Sequence, residues 1–143
     1  MHVVVDASML VEIIVASDDR PSQWLRDLLD GDDLFWVDGL TPLEVASALR
    51  KLVAGGNVDA DLARDGLRWL TGLVVKHKPI GQPEMARIWE LRESVTTYDA
   101  AYLALTEALQ AETGGQVCLV TGDRKLANSP AVKCPVELYT GNT

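Results

Sequence analysis

Val3-Val4-Val5-Asp6-Ala7-Ser8 decides how this chain is to be read. Three β-branched residues in a row form a short strand with no polar face, the pattern of a strand buried on both sides of a parallel sheet. The run ends on a carboxylate. A second apolar run, Val117-Cys118-Leu119-Val120, ends the same way, with Thr121 and Gly122 before Asp123. Two further acids, Glu44 and Asp99, fall in the first turn of expected helices. Parallel α/β sheets build their sites where strands end and helices begin. Four carboxylates gathered there repel one another unless a cation lies between them. The pattern points to a divalent-metal site, with Asp6 and Asp99 within reach of one ion, and to phosphodiester chemistry.

The other elements extend outward from these strands. Residues 8–16 read as a helix with Leu10, Val11, Ile14 and Val15 on one stripe. A polar loop follows at residues 17–21. Ser22 is placed to cap a helix ending at Asp30, with Gly31 closing it. Strands are expected at 34–37, 74–78, 117–120 and 136–139, besides 3–5. Helices are expected from Thr41 to Gly55-Gly56, from Asp59 or Asp61 to about Leu73, from Gln82 to about Glu93, and from Thr97 to Gly114-Gly115. Strands alternating with helices imply right-handed crossovers and a parallel sheet covered on both faces. The expected fold class is α/β, with four to five strands. Neither Gly pair forms a phosphate loop, and no GxGxxG or Walker pattern occurs.

At 143 residues, 48% of them apolar, the chain suits one domain spanning 1–143 with a proper core. Its longest apolar candidate, residues 9–16, is broken by Glu12 and is far short of the ~20 residues of a membrane span. The N-terminus carries no basic leader, so a cytoplasmic location is expected. Cys118 and Cys134 lack ligand spacing and read as small reduced hydrophobes rather than zinc ligands.

A net charge of −8 weighs against nucleic-acid binding, although bound metal reverses the sign locally. The dense basic spots are Arg50-Lys51, Lys76-His77-Lys78 and Arg124-Lys125, the middle one reading as solvated surface. Trp24, Trp36, Trp69 and Trp89 read as core or interface residues, and His2 and His77 as surface residues. No Ser/His/Asp or Cys/His arrangement suggests acyl chemistry.

Each acid also has a plain structural role open to it. Asp6 can cap the helix after it, and Ser8 can orient Asp6 or cap in its place. Thr41-Pro42-Leu43-Glu44 fits the S/T-x-x-E capping box, with proline early in the helix. Asp99 sits well with a helix dipole. Its helix continues Ala100-Ala101-Tyr102-Leu103-Ala104-Leu105, apolar nearly all round, so a charge at its start calls for a partner. Asp123 can belong to a turn, and Thr121 can bond a carboxylate or only finish a strand.

Taken in order, Val3-Val4-Val5-Asp6-Ala7-Ser8, Thr41-Pro42-Leu43-Glu44-Val45-Ala46-Ser47-Ala48-Leu49, Thr97-Tyr98-Asp99-Ala100-Ala101-Tyr102-Leu103-Ala104-Leu105 and Val120-Thr121-Gly122-Asp123-Arg124-Lys125-Leu126 resemble the PIN-domain family, and closely its VapC-type toxin branch. The resemblance covers essentially the whole chain. It implies a three-layer α/β/α sandwich on a mainly parallel sheet. It implies an endoribonuclease, the toxin of a toxin–antitoxin pair, that uses Mg²⁺ or Mn²⁺. The family's acidic positions carry over to Asp6, Glu44, Asp99 and Asp123 as catalytic and metal-binding residues, and its hydroxyl positions to Ser8 and Thr121. It further implies a homodimer and a small antitoxin partner, with a groove for a helical partner between helices 8–16 and 22–30, where Trp24, Leu25, Leu28 and Leu29 form an apolar stripe. An RNA-processing nuclease outside such a pair, or a non-catalytic PIN-like binding module, are the alternatives. A phosphatase of the haloacid dehalogenase type needs a second Asp where this chain has Ser8. A receiver domain needs paired early acids and a lysine right after a late strand, and neither is present.

Overall fold

The computed structural model describes residues 1–29 and 32–139, the side chains of Leu28 and Leu29 excepted. Its strands are β1 (His2–Val5), β2 (Asp33–Val37), β3 (Lys76–Lys78), β4 (Val117–Thr121) and β5 (Val136–Leu138). Its helices are α1 (Ala7–Val15), α2 (Arg20–Leu29), α3 (Thr41–Ala54), α4 (Ala60–Thr71), α5 (Gln82–Glu90), α6 (Thr97–Thr113) and α7 (Arg124–Ala127). Every strand pair is parallel, in the order β3-β2-β1-β4-β5. β1 lies in the middle because Val3, Val4 and Val5 have no exposed surface at all. The pleat sends alternate residues to opposite faces. Val3 and Val5, with Trp36 and Val120, meet α1, α3 and α4, whereas Val4, with Phe35, Val37 and Leu119, meets α5 and α6. The result is an α/β/α sandwich.

α6 is buried almost all round, as its composition requires, and Ala100, Ala101 and Ala104 let it lie close on the sheet. On the other face α4 presses against α1 at Gly66, where a Cβ would stand 2.2 Å from Cγ2 of Ile14. Among the described residues no helix is long and apolar enough to cross a membrane.

Some boundaries differ from the sequence expectation. α2 begins at Arg20, not after Ser22: the Asp18 carboxylate takes the Arg20 N–H at 2.9 Å where the helix starts, three residues earlier than expected. The expected end at Asp30-Gly31 lies outside the described residues. β3 is only three residues long, because Val74 is 96% exposed with nothing to pack against. α5 stops at Glu90, and Leu91 takes the cap position. The short helix α7 was not expected.

The tryptophans and histidines also divide. Trp36 belongs to the core and Trp24 stacks edge-on against Tyr139 at 5.0 Å, but Trp69 and Trp89 are exposed. His77 accepts the Trp36 indole N–H at 2.8 Å, and His2 is half-buried against the Phe35 ring, so neither is a bare surface residue. Lys76 and Lys78 are tied to Asp33 and Glu112, each at 2.9 Å. Burial pushes the Cys118 thiol up to about 11 and the Cys134 thiol up to about 12, so both stay protonated.

Candidate active site

From β1 the chain builds the sheet outward on one side through β2 and β3, then crosses to the other side to add β4 and β5. The crevice between the ends of β1 and β4 is therefore the topological switch point, where open α/β sheets bind ligands. Asp6 is the first residue past β1 and is 4% exposed. Its Oδ1 caps α1 by accepting the Met9 N–H at 3.1 Å, and also accepts the Ser8 hydroxyl at 2.6 Å. Its Oδ2 accepts the hydroxyl of Thr121 at the end of β4. Ser8 Oγ in turn accepts the Gly122 N–H at 2.9 Å, and Thr121 Oγ1 accepts that of Asp123 at 3.0 Å. Asp6 thus caps a helix and ties together the ends of two central strands, and Ser8 orients it. Thr121 is fully buried and bonds the carboxylate.

Asp123 is a helix cap, not a turn residue: its Oδ1 takes the N–H groups of Lys125 and Leu126 at 2.9 and 3.3 Å and starts α7. Asp99 sits in the first turn of α6, its N–H accepted by the Thr96 cap at 3.2 Å.

Glu44 does not form the capping box its sequence suggests. The residue at the cap position is Leu40, in helical conformation and without a side-chain cap bond. Thr41 is the first residue of α3, fully buried, and its hydroxyl accepts the Val37 N–H at 3.1 Å where β2 ends. It also bonds the Tyr102 hydroxyl at 2.9 Å, and Tyr102 donates to Glu44 Oε1 at 2.8 Å. A tertiary contact from α6 has taken both side chains that the box would have used.

Burial pushes the carboxyls of Asp6, Glu44 and Asp99 above their ordinary values. Neighbouring charge adds to it: Asp99 acts on Asp6, Asp6 and Asp99 on Glu44, and Asp123 on Asp99. Hydrogen bonds to Asp6 from Ser8, Thr121 and Met9 oppose the shift. The four acids are therefore near enough to sense one another. They do not form a ready-made cage, since no three His, Cys, Asp or Glu side chains among the described residues are grouped closely enough to hold an ion. Asp99 and Asp123 line a concavity of about 700 Å³ with Arg92 and Lys125, while Glu44 opens onto a separate hollow of about 360 Å³ with Ser8 and Glu12. Hard carboxylate oxygens spread over two neighbouring hollows suit Mg²⁺, which keeps several waters and takes one or two carboxylates directly.

Two residues at this edge escaped the sequence reading. Glu12, one turn beyond Ser8, faces the same hollow as Glu44, and its spacing of i+4 from Ser8 was the available signal. Tyr102 sits three residues after Asp99 in an apolar run, where its hydroxyl needed a partner once buried. Tyr102→Phe is expected to lower the melting temperature by several degrees, since a bond to a charged group contributes about 1.5–3 kcal/mol. An unchanged melting temperature would show that the Tyr102 hydroxyl does not hold Glu44.

A parallel α/β/α sandwich with acids at its β1/β4 crevice defines a class of hydrolytic domain, and the PIN domain profile matches residues 3–131. The chain belongs to the PIN-domain family. It is 34% identical over 135 residues to Ribonuclease VapC1 of Mycobacterium tuberculosis, covering 94% of this chain and 96% of that protein. It is likewise 34% identical over 139 residues to Ribonuclease VapC3 of Pyrobaculum aerophilum, covering 94% of this chain and all of the relative. Among solved structures, PAE2754 from Pyrobaculum aerophilum matches with a TM-score of 0.63 at 26% identity, over 95% of this chain and 83% of that one. VapBC2 from Rickettsia felis, bound to a DNA fragment from its promoter, matches with a TM-score of 0.70 over 98% and 100% of the two chains, and at 13% identity shows the fold alone.

Proposed function

We propose that this chain is a Mg²⁺- or Mn²⁺-dependent endoribonuclease, the toxin of a toxin–antitoxin pair, working as one PIN domain over residues 1–143. The observation that carries the reading is the tie between Asp6, Ser8 and Thr121 at the β1/β4 crevice, with Glu44, Asp99 and Asp123 around it in mutual electrostatic contact. Named ribonucleases at 34% identity over nearly the full chain support it.

Asp6, Glu44, Asp99 and Asp123 are the residues that would hold the ion. When bound, it supplies an activated water and neutralises charge at the scissile phosphate. The chain's own parts are then these. Ser8 and Thr121 fix the Asp6 carboxylate, and Tyr102 fixes that of Glu44. Asp99 and Asp123 face the concavity open to a substrate phosphate, where Lys125 adds a positive charge. Hydrolysis forms a bond from water oxygen to phosphorus and breaks the bond to the leaving ribose oxygen. A carboxylate among these acids takes the proton from the attacking water, and a proton passes to the leaving ribose oxygen.

The partners in this reading are RNA, an antitoxin protein and a second copy of the chain, in the cytoplasm. The relatives' names support the antitoxin. Its groove is placed between α1 and α2, where Trp24 is half-exposed while Leu25 is buried, and Leu28 and Leu29 lie outside the described side chains. The decisive experiment incubates the purified chain with total RNA and Mg²⁺ and maps the cut sites. Discrete internal cuts are expected, and intact RNA at high enzyme concentration would leave only a binding module.

A further inference from the structure

We infer that Trp89 and Arg92 form a stacking platform for an unpaired nucleotide of the substrate RNA, beside the cleavage site; this rests on the ribonuclease reading above. Trp89 is 68% exposed on α5, unusual for the most costly side chain to leave in water. It is not loose. The Arg92 guanidinium lies over its ring at 4.7 Å, and Arg92 Nη1 donates to the Trp89 carbonyl at 3.0 Å. The guanidinium therefore covers one face of the indole and adds a positive charge to it, leaving the exposed remainder of the ring to take a base.

Its position supplies the occupant. The concavity under Trp89, about 870 Å³, shares Arg92, Val95 and Thr96 with the one that holds Asp99 and Asp123. A strand whose phosphate lies at the acids continues directly onto Trp89. Charge agrees. Arg92 and Lys125 both line the acidic concavity, and neither is paired with a carboxylate among the described residues. Two cations whose charge no carboxylate neutralises, flanking an anionic centre, suit a phosphate backbone crossing it. An indole offers a face to any unpaired base, but the bases of a duplex have both faces covered, so the platform selects single-stranded RNA.

The test compares the parent with Trp89→Ala and Trp89→Phe. A labelled, unstructured RNA octamer is titrated in chelator at low salt, and each protein is weighed by light scattering at the same concentration. Losing one stacked base is expected to weaken binding about tenfold or more in Trp89→Ala, while Trp89→Phe stays within a few-fold of the parent. In Mg²⁺ the parent is expected to cut the free strand and spare the same strand annealed to its complement. Equal binding by parent and Trp89→Ala overturns the platform, even if both cut RNA. A change of mass in Trp89→Ala also overturns it, because the face is then a contact between protein chains. A parent that binds through Trp89 but cuts no RNA leaves the platform standing and removes the nuclease reading instead.

Discussion

Stripping divalent cations from the protein stops RNA cleavage, and adding Mg²⁺ or Mn²⁺ restores it. That result is expected because the site has four acids and no cationic catalyst of its own, and because three of the four carboxyls are held above their ordinary values by burial and by one another. The same cause gives a readout besides activity. An acid whose folded value is raised contributes stability that is full below its ordinary value and is lost as the pH rises through the raised one. For these groups the ordinary values are 3.8 for Asp6 and Asp99 and 4.5 for Glu44. Above them the metal-free protein forces ionised carboxylates together, and a cation relieves that repulsion. An ion at a hundred times its dissociation constant adds about 2.7 kcal/mol, which for a chain this size is about 8 °C in melting temperature. The gap between metal-loaded and metal-free melting temperatures should widen as the pH rises through the raised values. Undiminished cleavage in excess chelator would sink the metal mechanism, and a gap that ignores pH would sink the electrostatic account.

Glu44→Gln is expected to reduce cleavage about a hundredfold or more while leaving the fold intact. Glutamine keeps an oxygen to accept the Tyr102 hydroxyl but has no charge for a cation. Because Leu40 holds the cap position and Glu44 makes no capping bond, α3 loses nothing at its start. Without metal the variant should melt at or above the parent temperature, since Asp6 and Asp99 no longer face a third negative charge. That advantage should grow with pH above 4.5, the value below which Glu44 is neutral in either state. Glu44→Ala differs in removing the acceptor as well, which leaves Tyr102 with Thr41 alone and lowers stability by about 1 kcal/mol. Full activity in a folded Glu44→Gln protein would remove Glu44 from the site.

The central strand and the buried helix could be read directly, because each is decided by its own composition. Val3-Val4-Val5 has no polar side to show to water, and Ala100 through Leu105 has none either. The ends of elements were harder, because they depend on which distant group claims a side chain. Thr41 and Glu44 fit the capping box by spacing, yet Tyr102, 61 residues from Thr41, reaches both. Asp18 started α2 ahead of the serine that local preference favoured. The helix that Asp123 caps was missed because α7, only four residues long, has too few positions to show a period. For the candidate site, strand ends and helix starts were enough to propose four acids. That no three of them stand close enough to hold an ion could not be read, because the spacing of side chains across a crevice leaves no trace in the order of residues.

The bond between Thr121 and Asp6 spans 115 positions of the chain. A growing polypeptide that has emerged only through α6 already carries Asp6, Glu44 and Asp99. It still lacks β4, and with it the hydroxyl that pins Asp6 and the acid at position 123. Val3 to Val5 also stay open on one edge until β4 pairs with them. On the proposed reading, the centre is therefore completed only when β4 joins β1. On that reading, too, a nascent chain is unarmed until β4 has emerged and joined the sheet, and truncated products ending before β4 are expected to leave RNA intact.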